Sequence, residues 1–413
     1  MSKAPKLRFK EFSGDWEKKK IGEITTKVGS GKTPKGGNSV YTDSGVIFLR
    51  SQNVLNGKLN LSDVAYITEE INSTMKSTEV YGDDILLNIT GASIGRSCNV
   101  PKNFPKANVN QHVCIIRLNE HYNSNFIMNQ IISEKVQRQI DSYQAGGNRE
   151  GLNFEQIKSI KVDSTCIEEQ EKIASFFSLI DDKISLQGEK LEMLKDYKRG
   201  VLQKIFSREL RFKDDEGRDY PEWEEKKLGD CIENKGGTAL EKFVDENGTH
   251  KFISIGNYST SGKYIDSGQR ISLNDKTKDK LLYKNDLVMV LNDKTATGDL
   301  IGSTILIDED NTYIYNQRSE RLICNENINP DFAWILLNYE DFRKKVFSIA
   351  QGGTQIYVNF PSVKNLNIQL PSLKEQNKIS ELILALDNKI EKEQEKLDSL
   401  NEYKKGLLQQ MFV

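Results

Sequence analysis

EQEKIASFFSLIDDKISLQGEKLEMLKDYKRGVLQKIF, residues Glu169–Phe206, returns as EQNKISELILALDNKIEKEQEKLDSLNEYKKGLLQQMF, residues Glu375–Phe412. The two stretches align without a gap at an offset of 206, and 17 of their 38 positions are identical. Steps of four and three from Ile173 meet Phe177, Ile180, Ile184, Gln187, Leu191, Leu194, Lys198, Val201 and Ile205, so eight of these ten positions are apolar. The same steps from Ile379 meet Ile383, Leu386, Ile390, Glu393, Leu397, Leu400, Lys404, Leu407 and Met411, with polar residues at the same two places. This spacing predicts a coiled-coil seam in each copy. A helix of about 33 residues is roughly 50 Å long, and alone it would leave a continuous apolar stripe in water. Each helix therefore needs a partner, and the expected one is the other copy in the same chain, held at high effective concentration.

The repeat extends beyond the helices. Gly146-Gly147, Asn153 and Phe154 recur as Gly352-Gly353, Asn359 and Phe360, and Leu7-Arg8-Phe9-Lys10, Trp16, Lys19-Lys20 and Gly22 recur as Leu210-Arg211-Phe212-Lys213, Trp223, Lys226-Lys227 and Gly229. A period near 200 residues marks a duplicated domain rather than a solenoid. The expected division is 1–167 and 208–372 for the two domains, with helices over 168–207 and 373–413. Strands are predicted at Val46–Arg50, Ile85–Ile89 and Val113–Leu118, and at Lys251–Ile255, Leu287–Leu291, Tyr313–Ile314 and Glu320–Cys324. One helix is predicted before each double glycine, opened by Asn123-Ser124 and by Asn329-Pro330. The fold class is α+β.

Composition excludes several functions. No apolar run approaches the roughly 20 residues of a membrane span, and Met1–Lys10 is polar and basic, so a cytoplasmic protein without membrane contact is expected. The five cysteines have no close pair and read as buried small hydrophobes, and none of the three histidines stands beside a plausible nucleophile, leaving little material for metal or triad chemistry. Gly29-Ser30-Gly31-Lys32-Thr33 imitates a phosphate-binding loop, but Thr26 replaces its first glycine and Pro34 follows where a helix must start. A methyltransferase signature is also absent, since no Pro-Pro occurs anywhere. Net charge is −2, but residues 1–167 carry 22 Lys and Arg against 17 Asp and Glu (+5), and residues 208–372 carry 22 against 27 (−5).

The loops between the strands differ between the copies while Asn53/Asn257, Asn88/Asn292 and Gln111/Gln317 persist, as expected of one frame carrying two reading surfaces. Arg and Lys suit guanine, Asn and Gln suit adenine, and hydroxyls suit phosphate. On that chemistry the DNA-contact candidates of the first copy are Lys32, Thr33, Lys35, Arg50, Gln52, Asn53, Asn88, Thr90, Arg96, Gln111, Asn148 and Arg149. Those of the second are Lys235, Thr238, Asn257, Tyr258, Asn292, Lys294, Gln317, Arg318, Gln355 and Tyr357.

The order of these features resembles the specificity subunit of type I restriction-modification systems. The resemblance rests on the paired Leu-Arg-Phe openings, Gly31 to Pro34 with Gly236-Gly237-Thr238, Glu-Gln-x-Lys-Ile at Glu169 and Glu375, and Tyr-Lys-x-Gly at Tyr197 and Tyr403. It implies two target-recognition domains joined by two long antiparallel helices in a pseudo-twofold, circular arrangement. Each domain would read half of a bipartite site in double-stranded DNA. It further implies docking of two methyltransferase subunits and possibly of motor-nuclease subunits, with S-adenosylmethionine, ATP and Mg on those partners, no cofactor or metal in this chain, and no catalysis by it. The short step from Phe206 to Leu210, set against Phe412 and Leu7, predicts termini within about 30 Å of each other. The alternative, from another class, is a coiled-coil scaffold binding proteins through two globular ends.

Overall fold

The computed structural model describes residues 4–144, 151–294 and 297–412. Gly146-Gly147, Asn148 and Arg149 lie outside them, as do Met1 and Val413. The chain divides into two units, residues 1–190 with 393–413, and residues 191–392. Both boundaries fall inside the long helices, Ile167–Phe206 and Leu373–Met411, so each unit holds one copy of the repeat and part of each helix.

In the first unit, Thr25–Ser30, Val113–Leu118, Ile85–Asn88 and Ser97–Asn99 form an antiparallel sheet in that order. A second sheet runs Ala65–Ile67, Val46–Leu49, Ala107–Val109, Glu79–Val80, with the middle pair parallel. The second unit repeats the plan. Ile232–Gly236, Ser319–Cys324, Leu287–Val290 and Thr304–Leu306 make the antiparallel sheet, and His250–Ile253 lies parallel to Tyr313–Tyr315 in the smaller one. The predicted strands are all present, with ends shifted by one or two residues. A sheet with continuous apolar runs such as Ile85-Leu86-Leu87, buried on both faces, needs cover on each side, and the second sheet and the helices supply it.

The single helix expected before each double glycine is two. Ser124–Ile131 is followed by Glu134–Ser142, and Pro330–Asn338 by Glu340–Ser348. At the first break the Ser133 hydroxyl donates back to the Gln130 carbonyl at 2.6 Å, an alternative to the helical bond that this residue type favours. At the second, Tyr339 is extended, and its ring stacks on Phe206 at 4.4 Å. Gly352-Gly353 falls in the turn before the strand Ile356–Tyr357.

Every apolar seam position named from the sequence is buried or half-buried. Within the first unit Lys404 pairs with Asp181, and the Gln187 amide donates to Glu393 Oε2 at 2.7 Å. Numbers rise along one helix as they fall along the other, so the segments are antiparallel. Within the second unit Lys198 pairs with Asp387 at 2.6 Å, and Val201 and Ile205 share a core with Ile379 and Ile383. The four polar seam residues thus all carry partners. Such matched polar positions fix register.

The repeated motifs are anchors for these helices. Glu169, fully buried, accepts Arg8 Nε at 2.7 Å and Trp16 Nε1 at 3.2 Å; Glu375 accepts Arg211 Nη2 at 3.0 Å and Trp223 Nε1 at 3.2 Å. The carboxylates hold both guanidinium groups above their usual range through these hydrogen bonds. The neighbouring Gln170 and Gln376 accept the amides of Asn123 and Asn329 at 3.0 and 2.8 Å, tying each long helix to the cap of a domain helix. The first unit is closed by the end of the other long helix. Leu407, Leu408, Met411 and Phe412 join its core, with Phe412 stacked on Phe177 at 5.9 Å and edge-on to Phe126 at 5.5 Å. Leu7 N–H donates to the Gln410 carbonyl at 3.1 Å, so the two extremities of the described chain meet in that unit.

Candidate nucleic-acid interface

Strand direction decides where the candidate loops gather. In the first unit Thr25–Ser30 and Ile85–Asn88 end, and their antiparallel neighbour Val113–Leu118 begins, at the same edge. The parallel strands Val46–Leu49 and Ala107–Val109 end beside it, since Asn110 N–H donates to the Leu49 carbonyl at 3.0 Å and Lys32 N–H to the Val109 carbonyl at 3.2 Å. Loops 31–35, 50–53, 90–96 and 110–112 therefore share one rim. The crossing is tight. A Cβ on Gly31 would stand 1.8 Å from the Val109 carbonyl oxygen, and one on the equivalent Gly237 1.9 Å from that of Asn316, so no side chain fits at either place.

On this rim Lys32, Thr33, Lys35, Gln52, Arg96 and Gln111 are exposed. The hydroxyl of Thr33 donates to Gln111 Oε1, Gln111 Nε2 lies 3.3 Å from His112 Nε2, and His112 Nδ1 lies 2.6 Å from Thr90 Oγ1. Gln52 donates to Asp63 at 2.5 Å, and Arg50 pairs with the same carboxylate at 3.5 Å. Two candidates are corrected. Asn53, 1 % exposed, accepts the Arg50 amide and donates to the Asn60 and Asp63 carbonyls; Asn88, fully buried, donates to the Ser51 and Val54 carbonyls. Both hold loops in place, and neither can reach a ligand.

The second unit's rim carries Thr238, Lys294, Gln317, Gln355 and Tyr357 exposed, with Lys235, Asn292 and Arg318 half-buried. Lys235 pairs with Asp279 at 2.7 Å, whose carboxyl this partner holds below its usual range. Glu241 accepts Asn316 Nδ2 at 2.9 Å and Gln317 Nε2 at 3.1 Å, and these bonds hold its carboxyl below the usual range too. Asn292 and Tyr357 face each other across a short antiparallel pair, and the Tyr357 hydroxyl donates to Gln351 at 3.2 Å. Here also two candidates are corrected. Asn257, fully buried, accepts the Ser254 amide and donates to the Ile265 carbonyl. Tyr258, 3 % exposed, donates to Ser319 Oγ at 2.7 Å, and burial pushes its phenol upward.

Among the described residues no cluster of three or more His, Cys, Asp or Glu side chains offers a metal site, and no helix is long and apolar enough to cross a membrane. Burial pushes the thiols of Cys98, Cys114 and Cys324 up to about 12, in keeping with small apolar fillers. Cys166 departs from that expectation and is exposed.

The family model described as the type I restriction modification DNA specificity domain matches twice, over residues 13–196 and 220–402. The chain belongs to that family. A specificity subunit in this sense is the sequence-selecting member of a type I restriction-modification system. The chain is 29% identical to the MjaVIII specificity subunit of Methanocaldococcus jannaschii over 61% of each chain, so that alignment spans under two thirds of the relative's length. It is 22% identical to the StySPI specificity subunit of Salmonella potsdam over 92% of this chain and 84% of the other. Among solved structures, the S subunit from M. genitalium superposes with a TM-score of 0.60 at 17% identity over 99% of both chains. A chain solved in a study of complex assembly and conformational transition of the type I R-M system gives 0.58 at 14% identity, over 96% of this chain and 97% of that one. The specificity-subunit fold is therefore shared over nearly the whole length. Of the rim residues, sequence reading missed His112, Asp63 and Glu241. His112 follows Gln111 directly and was visible as a neighbour, whereas Asp63 and Glu241 carry charge of the sign that a search for phosphate contacts discards.

Proposed function

We propose that this chain is the DNA sequence-recognition subunit of a type I restriction-modification complex, with each rim reading one half of a bipartite site. The observation that carries the reading is the gathering of base-compatible side chains from separate loops on one sheet edge of each unit, in a chain of the specificity family. The two rims differ in chemistry, the first carrying exposed Lys32, Lys35 and Arg96 beside Asp63, the second exposed Lys294 beside Glu241 and the Lys235–Asp279 pair. Two unlike half-sites follow. In this reading the long helices set the distance between half-sites and dock two methyltransferase subunits for adenine N6 methylation. S-adenosylmethionine, ATP and Mg sit on those and on motor-nuclease subunits, and this chain performs no chemical step. The acidic second copy draws part of its phosphate contact from a partner, because affinity for a duplex rests on neutralised phosphates.

The test is geometric. Adding seven residues to each long helix, in the stretches around Gly188 and around Gln394, lengthens the pair by about 10 Å, or roughly three base pairs at 3.4 Å each. Methylome sequencing should find both half-sites unchanged and the gap between them enlarged. An unchanged gap overturns the spacing role, and methylation without a bipartite motif overturns the recognition role.

A further inference from the structure

Gln111 is an exposed amide at the centre of the first rim, and such a side chain ordinarily samples both orientations. Here it is held at both ends. Thr33 donates a hydroxyl hydrogen to Oε1, and Nε2 faces His112 Nε2 at 3.3 Å. With the amide in this order Gln111 Nε2 donates and His112 Nε2 accepts, which places the ring proton on Nδ1. That proton has its own acceptor in Thr90 Oγ1 at 2.6 Å. The ring is fixed in turn by its backbone. Ile89 N–H donates to the His112 carbonyl at 3.0 Å, and His112 N–H to Asn110 Oδ1 at 3.1 Å. After these bonds Gln111 retains one N–H and one oxygen lone pair in a set order. This is the donor and acceptor pair that complements adenine N7 and N6 in the major groove, while guanine presents two acceptors there. At the equivalent place in the second unit the following residue is Arg318, and Gln317 Nε2 is held by the Glu241 carboxylate at 3.1 Å instead.

We propose that His112 is a specificity-determining positioning residue of the first recognition domain, fixing the amide order of Gln111 so that one position of the first half-site accepts adenine. This rests on the DNA-recognition reading above.

The test uses the full chain assembled with its methyltransferase subunits and selection from duplexes randomised in both half-sites. The unaltered assembly should prefer adenine at one position of one half-site by about ten-fold or more, the discrimination a bidentate amide pair provides. His112→Asn keeps a partner for Thr90 but cannot reach Gln111, and should flatten that position alone, as Gln111→Ala does. His112→Gln restores a group near the place of Nε2 and should recover the preference. The second half-site and the melting temperature should be unchanged throughout. The proposal is overturned if His112→Asn keeps the full preference, if His112→Gln fails to recover it, or if the loss spreads over the whole half-site with a lowered melting temperature. Should the unaltered assembly enrich no sequence at all, the recognition reading itself falls.

Discussion

Single residues show where polar chemistry in this chain is structural. Glu375 is fully buried, and its guanidinium and indole partners leave no route to water. Truncating it leaves the buried Trp223 indole without its acceptor and Arg211 with only Glu222 and the Tyr220 and Pro221 carbonyls, a loss of about 1–3 kcal/mol for the unsatisfied buried donor. Glu222 also touches Arg211 at 3.0 Å, but its side chain is 85% exposed, so its loss should cost at most about 1 kcal/mol. Urea unfolding should therefore show a larger stability loss for Glu375→Ala than for Glu222→Ala, and equal losses would contradict the anchor. The same scale explains which candidates were misread. Asparagine suits a base edge and a loop carbonyl equally well, and type alone does not separate them. Asn53, its counterpart Asn257, and Asn88 hold loop carbonyls, whereas Gln111, of the same amide type, is exposed on the rim.

Elements were more legible. Heptad spacing is a property of side-chain sequence alone, so both long helices and all their seam positions could be read before any coordinates. The strands followed from short apolar runs between turn residues. The break at Ser133 could not, because Ser124–Ser142 keeps an apolar stripe across it and the interruption is one extended residue, Ser133. In the seam, Gln187, Lys396 and Lys190 hold the Glu393 carboxyl at about 2, against 4.5 unperturbed. A carboxylate with a lowered folded value contributes stability that is whole above its unfolded value and is lost as pH falls toward the folded one. Melting temperature should accordingly drop between about pH 4.5 and 2, and Glu393→Gln should reduce that acid dependence. An identical acid limb in both proteins would remove Glu393 from the account.

At the scale of the whole molecule the duplication was plain in the sequence, while the way each unit is closed was not. Periodicity shows that Leu407, Met411 and their neighbours face something apolar, but only the fold shows that Phe412 meets Trp16, Phe126 and Phe177. Phe412→Ala should destabilise the first unit by about 3–5 kcal/mol, as for other buried aromatics. Trp16 fluorescence should report that loss and leave the second unit's transition in place. An unshifted Trp16 transition would contradict the packing. This discontinuity orders biosynthesis. The second unit is one uninterrupted segment, residues 191–392, whereas the first needs residues from both sides of it. A nascent first domain waits while the 202 residues of 191–392 emerge, about 10 to 40 s at roughly 5–20 residues per second, with its aromatic pocket open. The domain translated first is thus the last to complete its core.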